Sequence, residues 1–184
     1  MIKFVCLDTE TTGLDPKVNG LASIACISLD ENLEIVSEFY TLVNETDKKI
    51  EQEALNINGL KIEDLKNAPL SVAVMNTIAT ILDDKIVICH NAAFDIAWLN
   101  NRGFNITKAI DTMDLSWLYN PGQKAKLGIV CERFAIPVEN AHNSLGDTRM
   151  TVKLLKKFVE NKSFAEKHNI LEPKPINFDR WKKR

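Results

Sequence analysis

The sequence predicts an α/β protein in which a mixed sheet is flanked by helices. Three apolar, β-branched runs follow one another closely at the start of the chain and read as a meander of strands. Beyond them, short apolar runs alternate with stretches of helical period, the pattern that lays helices over a sheet. The chain has 184 residues, 45% of them apolar and 26% charged, enough to bury one sizeable core.

The elements follow in order. Residues 2–7 form an apolar run with no polar alternation, as in a strand buried on both faces. Residues 21–29 are apolar with small side chains. Asp30, Glu31 and Asn32 then make a turn, and residues 33–43 alternate and close an antiparallel hairpin. Two short helices are expected at 50–56 and 61–66, separated near Asn58-Gly59. A longer one runs over 70–82 after Pro69. Residues 85–89 are a short buried strand, and 94–102 a helix closed by Gly103. A strand at 109–111 precedes helices at 113–119 and 125–134, and an amphipathic helix spans 145–160. Residues 1–160 are taken as the main domain. Residues 161–184 form a basic C-terminal extension, flexible or wrapped on that domain.

The formal net charge is −2, which argues against a protein that coats duplexes nonspecifically. The charge is uneven: residues 162–184 hold seven Lys or Arg against three Asp or Glu. The body of the chain is therefore acidic. Cys6, Cys26, Cys89 and Cys131 show no Cys-x-x-Cys spacing and sit in apolar surroundings, as reduced core cysteines of a cytoplasmic protein do. The N-terminus enters a strand directly, and no segment reads as a signal peptide or membrane span.

Acids meet the ends of elements at three places. Asp8 and Glu10 follow the first apolar run. Two apart on an extended chain, they project from one face roughly 6 to 7 Å from each other. A solvated turn would explain them too. In "HNAAFDIAWL", residues 90–99, Asp95 falls in the first turn of a helix, where the helix dipole alone rewards an acid. Asn91 there is a plausible N-cap. In "AHNSLGDTRMTVKLL", residues 141–155, Ser144 and Asp147 fit a capping box, and His142 lies just before. Each has an ordinary structural explanation; the combination is harder to dismiss. Four carboxylates converging on one point would carry −4, which does not persist in a dry site without compensation. Two divalent cations supply it, and oxygen-only ligands select Mg²⁺ or Mn²⁺. Such a pair, roughly 3.5 to 4 Å apart, clamps a phosphodiester and activates a water.

Asp8-Thr9-Glu10-Thr11-Thr12-Gly13-Leu14, His90-Asn91-Ala92-Ala93-Phe94-Asp95 and His142-x-x-x-x-Asp147 resemble the three motifs of the DEDDh 3'-to-5' exonucleases. The flavour is that of the proofreading epsilon subunit of bacterial DNA polymerase III, and the resemblance runs from about residue 2 to 158. It implies a ribonuclease-H-like exonuclease fold with a mixed five-stranded sheet. It implies that Asp8, Glu10, Asp95 and Asp147 hold two Mg²⁺ or Mn²⁺ ions. Glu10 and His142 would then be catalytic, His142 as general base. Thr11, Thr12 and Leu14 would receive the terminal nucleotide, with Leu14 as a wedge between bases, and Asn91 would help orient the site. The implied reaction releases nucleoside 5'-monophosphates from a 3' end, single-stranded DNA being favoured. An RNA-trimming enzyme and a non-catalytic module that partners a DNA polymerase are the alternatives. Two stretches depart from the pattern: Asn58-Gly59-Leu60 where many relatives have His-Gly-Ile, and Lys126-Leu127-Gly128 where many have Ser-Leu-Asp.

Overall fold

Side-chain alternation along the first strand decides the architecture. In the computed structural model, which describes residues 1–138 and 143–179, this strand is β1 (Ile2–Thr11). Phe4 and Cys6 point to one face of the sheet, Val5 and Leu7 to the other, and all four are buried. Such a strand must be covered on both sides, so the chain builds two helical layers around it.

β1 pairs antiparallel with β2 (Leu21–Asp30), which pairs antiparallel with β3 (Ile35–Leu42). α1 (Gln52–Asn58), α2 (Ile62–Lys66) and α3 (Ser71–Leu82) follow. β4 (Ile86–Cys89) then returns parallel to β1, α4 (Ala92–Asn100) crosses over, and β5 (Lys108–Asp111) lies parallel to β4. α5 (Thr112–Tyr119), α6 (Leu127–Arg133), α7 (Ser144–Glu160) and α8 (Lys162–His168) complete the helices. α1 ends at Gly59, whose φ of 67° is the left-handed conformation a helix C-terminus favours.

The sheet has six strands in the order β3-β2-β1-β4-β5-β6, one more than expected. The sixth, β6 (Lys174–Pro175), pairs antiparallel with Lys108 and Ala109. Two residues long and half proline, it has no periodicity to read. An edge position tolerates the proline because that edge needs no further donor. α8 is fixed by Phe164, whose ring centroid lies 4.9 Å from Tyr119 and 5.7 Å from Phe158.

Cys6, Ile27, Ile88 and Ile110 face α5, α6 and α7, meeting Met113, Val130, Met150, Leu154 and Phe158. On the opposite face, Leu7, Cys26, Val87 and Cys89 meet Ile78 of α3 and Ile96, Trp98 and Leu99 of α4. The four cysteines are free and buried. Burial pushes the Cys26 thiol up to about 12, far from a reactive thiolate. No helix among the described residues is long and apolar enough to cross a membrane.

One buried ion pair ties the segment after β3 to the end of α4. Glu45, 8% exposed, accepts hydrogen bonds from the Leu21 amide (2.8 Å), Ser71 Oγ and both Nε (2.8 Å) and Nη2 of Arg102. Burial pushes its carboxyl up, but these donors outweigh burial and hold it below the usual range. Arg102 also sits over the Trp98 ring, 5.3 Å from the centroid. Truncating Arg102 to Ala strands this carboxylate without its cation and is expected to cost about 3 to 5 kcal/mol, read from the urea midpoint. A loss below about 1 kcal/mol would mean that the pair behaves as an exposed one.

Candidate active site at the carboxyl end of β1

The paired partner of β1 changes at its polar end. Against β4 the pairing stops at Cys6–Ile88, while against β2 it continues through Asp8–Ala25 and Glu10–Ser23. Asp8 and Glu10 therefore lie inside the strand, not after it, beyond the last residue of β1 that pairs with β4. Their even register puts them on the face of Phe4 and Cys6, the side of α7. There Asp147, in the first turn of α7, meets them. Single carboxylate oxygens of Asp8, Glu10 and Asp147 lie within 4.8 Å of one another, each residue partly open to solvent.

Asp95 arrives from the other layer and stands outside this trio. It is 2% exposed, and its Oδ1 accepts from the Thr9 amide (3.0 Å) and Thr9 Oγ1 (2.8 Å). Thr9 points away from Asp8 and Glu10 by strand alternation, so it is placed to meet α4. Asp95 is near enough that its charge raises both Asp8 and Glu10.

The electrostatics are those of an overcrowded anion site. Burial pushes Asp8 well above the usual carboxylate range, and the charges of Asp95, Glu10 and Asp147 push it further. Burial and the charges of Asp147 and Asp95 raise Glu10 to about 8. Asp95 is raised to about 7 by burial, against the Thr9 hydrogen bonds that lower it. The charges acting on Asp8 and Glu10 are all carboxylates, which is the reverse of a structural ion pair. An all-oxygen donor set with excess negative charge fits a hard divalent cation.

The helix starts are capped differently from the sequence reading. Asn143, not Ser144, caps α7: its Oδ1 accepts from the Leu145 (3.2 Å) and Gly146 (3.3 Å) amides. Ser144 is buried, with its Oγ 2.8 Å from Ser23 Oγ. This ties α7 to β2 and leaves Asp147 for the cluster. Asn91 holds the N-cap position of α4, but its side chain makes no capping bond. Asp111 does the work, accepting from the Asn91 (2.9 Å), Ala92 (3.0 Å) and Met113 (2.9 Å) amides. One carboxylate thus caps both α4 and α5, and it holds Asn91 at φ 78°. Asp111 carries no such role in the sequence reading; an acid that ends an apolar strand just before a helix is the signal that could have found it.

The stretch after Glu10 is built as a rigid loop. Thr11 Oγ1 donates to Gly13 O at 2.6 Å. Thr12 is 1% exposed; its Oγ1 donates to Lys49 O (2.9 Å) and accepts from the Gly20 amide (2.8 Å). Its hydroxyl is spent on the loop itself. A Cβ on Gly13 would lie 2.3 Å from Asn19 Cγ, so only glycine fits there. Asn19, also 1% exposed, accepts from the Asp15 amide and donates to Lys49 O, both at 3.0 Å. Asn58 Nδ2 donates to Thr11 O at 2.9 Å, which gives the departure at Asn58 a purpose. Leu14 is left 72% exposed at the tip. His90 is buried, Nδ1 being 2.8 Å from Thr112 Oγ1 and Nε2 2.7 Å from Ala125 O. His142 lies outside the described residues.

Residues 5–155 match the RNase_T family model, described as Exonuclease. The chain is 29% identical over 183 residues to the DNA polymerase III PolC-type of Streptococcus sanguinis (strain SK36), covering 96% of this chain and 12% of that protein. It is 31% identical over 163 residues to the PolC-type polymerase of Thermotoga maritima, covering 85% of this chain and again 12% of the relative. The chain thus spans about an eighth of the length of these PolC-type relatives. With the DNA polymerase III subunit epsilon of Rickettsia typhi it shares 28% identity over 166 residues, 83% of this chain and 72% of that subunit. In fold it is similar to E. coli Exonuclease I in complex with a dT13 oligonucleotide, with a TM-score of 0.79 at 16% identity, covering 91% of this chain and 43% of that one. The match over residues 5–155 contains Asp8, Glu10, Asp95 and Asp147, and on it the chain belongs to the RNase_T family of exonucleases.

Proposed function

We propose that this chain is a metal-dependent 3'-to-5' exonuclease. It removes nucleoside 5'-monophosphates from the 3' end of DNA and prefers single-stranded ends. The observation that carries this reading is the Asp8–Glu10–Asp147 trio within 4.8 Å, with Asp95 held beside it from the opposite layer. Asp8, Glu10, Asp95 and Asp147 are the residues that would hold two Mg²⁺ or Mn²⁺ ions. Bound there, the ions supply charge neutralisation for the scissile phosphate and activation of a water.

The chain's own groups do the rest. Thr9 fixes one oxygen of Asp95 and so limits which way that carboxylate faces. Thr12, Asn19 and Asn58 hold the backbone of Thr11 and Gly13 rigid, ready to meet a terminal nucleotide without reordering. Leu14 projects from that loop as an apolar wedge. Separating paired bases costs a few kcal/mol, which favours frayed or unpaired ends. His142 takes the proton of the attacking water as the new P–O bond forms and the bond to the departing 3'-oxygen breaks. An imidazole of ordinary pKa, about 6.5, suits that task.

DNA is favoured over RNA because the relatives are named as DNA polymerases and the fold neighbour is held with a dT13 oligonucleotide. The same similarity supports a DNA polymerase as partner, and the four free, buried cysteines support a cytoplasmic setting. The test is degradation of 5'-labelled single-stranded DNA and RNA oligomers with Mg²⁺, with and without chelator. A chelator-sensitive ladder shortening from the 3' end of DNA is expected. A ladder confined to RNA would move the chain to RNA trimming, and no ladder on either would leave a non-catalytic polymerase partner. His142→Ala is expected to slow release by about a hundredfold or more while Mn²⁺ affinity changes less than threefold or so. Equal losses in both would make His142 a ligand or a structural residue.

A further inference from the structure

The carboxylate trio draws its acids from a strand and a helix, so its dimensions depend on how those two elements are held together. Glu10 pairs with Ser23 across β1 and β2, so the two side chains share a face, with Cβ atoms roughly 5 Å apart. This is the last regular pair before the ladder slips between Glu10 and Thr11. Ser23 Oγ lies 2.8 Å from Ser144 Oγ. Ser144 opens α7, and Asp147 follows on the same side of the helix, roughly 5 to 6 Å away between Cβ atoms. The Asp147 amide donates to Asn143 O at 2.9 Å, which fixes that turn. Glu10, Ser23, Ser144 and Asp147 are thus the corners of a closed figure. Three of its sides are a strand pair, a hydrogen bond and a helical turn. The fourth is the gap between two carboxylates, whose oxygens lie within 4.8 Å.

The hydrogen bond is the side that fixes this figure. Along α7 the fully buried apolar side chains begin only at Met150 and continue through Val152, Leu154, Leu155 and Phe158. Closer to the cluster the buried positions are Ser144 and Thr148. The Thr148 hydroxyl donates within the helix, to Ser144 O at 2.6 Å. From β1, Cys6 Sγ reaches Thr148 O at 3.8 Å, with the weak donor strength of a thiol. Apolar contact has no direction, and a helix held only that way can slide. Two hydroxyls 2.8 Å apart fix a length and a direction. Both serines are shut off from solvent, so water does not compete for the bond. Its net effect on stability is small, because both hydroxyls leave water to make it. What it adds is a set distance.

We infer that the Ser23–Ser144 hydrogen bond holds the Glu10–Asp147 gap fixed and so favours Mg²⁺ over larger, more adaptable divalent cations, which makes both serines positioning residues that determine metal choice. The inference rests on the metal-dependent reading proposed above. Mg²⁺ demands near-ideal octahedral geometry with oxygens at about 2.1 Å, whereas Ca²⁺ accepts longer bonds and irregular shells. Each serine acts through the carboxylate beside it, Ser23 through Glu10 and Ser144 through Asp147.

The test is calorimetric titration of the full chain, free of nucleic acid, with Mg²⁺ and with Ca²⁺, beside urea unfolding in chelator. Ser23→Ala alone leaves the Ser144 hydroxyl buried and unmatched, so its urea midpoint should fall. Ser23→Ala combined with Ser144→Ala removes both hydroxyls, and its midpoint should return close to that of the unmutated chain. Asn143 still caps α7 in that double variant. Mg²⁺ affinity is expected to be about tenfold weaker in the single and the double variant alike, the usual loss when a group that orients a ligand is removed. Ca²⁺ affinity should change by less than about threefold in both. Should Ser23→Ala fail to fold, the double variant alone decides. A double variant that regains Mg²⁺ affinity along with its urea midpoint would overturn the inference and make the pair a packing contact. Equal losses for Mg²⁺ and Ca²⁺ would overturn the role in metal choice. An unmutated chain that binds no divalent cation would sink the metal-site reading, and the pair's role with it. One that binds Mg²⁺ but releases no nucleotide would sink the nuclease reading alone, and the affinities of the variants would still decide the pair.

Discussion

Asp8→Asn is expected to lower the rate of nucleotide release roughly a thousandfold or more while making the metal-free protein more stable. The two effects have one cause. Asp8 sits among Asp95, Glu10 and Asp147, whose charges all raise it, and it is raised further by burial. An amide of the same shape keeps the strand pairing with Ala25 and removes one anionic group from the cluster. Without metal, repulsion falls and the melting temperature rises. With metal, a ligand is missing, and loss of about 4 kcal/mol of transition-state stabilisation is a thousandfold in rate. A purely structural acid would give the opposite pair: a less stable protein with its rate kept. Asp147→Asn is the companion variant, reaching the same cluster from α7. A variant that folds and cleaves within about tenfold of the unmutated rate would sink the metal-site assignment.

The order of strands and helices as far as α7 was legible because each rests on local periodicity, whereas α8 (Lys162–His168) falls in the stretch read as an extension. The apolar run of β1 and the amphipathic α7 both carry that signal in consecutive residues. The acids were legible by type and place, and Asp8, Glu10 and Asp147 do come together. What was not legible depends on contacts between distant residues. That Asp95 would be held by Thr9 follows from strand alternation meeting the opposite helical layer, which no window of sequence displays. Asn143 displaced Ser144 as the cap of α7 because Ser144 found Ser23, 121 residues away in the chain. Asp111 displaced the Asn91 side chain in the same way, across 20 residues. Thr12 was grouped with the substrate contacts by motif, yet Lys49 and Gly20 occupy its hydroxyl. β6 was missed because two residues have no period, and only the exposed edge of β5 gives them a partner.

The metal-free protein is expected to lose stability as pH rises from about 4.5 to about 8, and divalent metal is expected to reverse that trend. Glu10 is raised from 4.5 to about 8 and Asp95 from 3.8 to about 7 in the folded chain. Between the unfolded and folded values the native state holds protons that the unfolded chain has released. Unfolding then releases protons, so stability falls as pH rises through that window. In chelator, the melting temperature is expected to drop on the order of 5 °C between pH 5 and pH 8 beyond the drop seen in Asp8→Asn, which relieves part of the same repulsion. Binding of Mg²⁺ or Mn²⁺ requires the carboxylates without those protons. Affinity should therefore climb across the same window, and metal at about a hundred times its Kd adds about 2.7 kcal/mol. Titration at pH 7 in buffers of different ionisation enthalpy should register on the order of one proton released per protein. A flat melting profile in chelator, or metal binding with no proton release, would mean that the cluster is already ionised and compensated, and the case for a cation as its missing partner would fail.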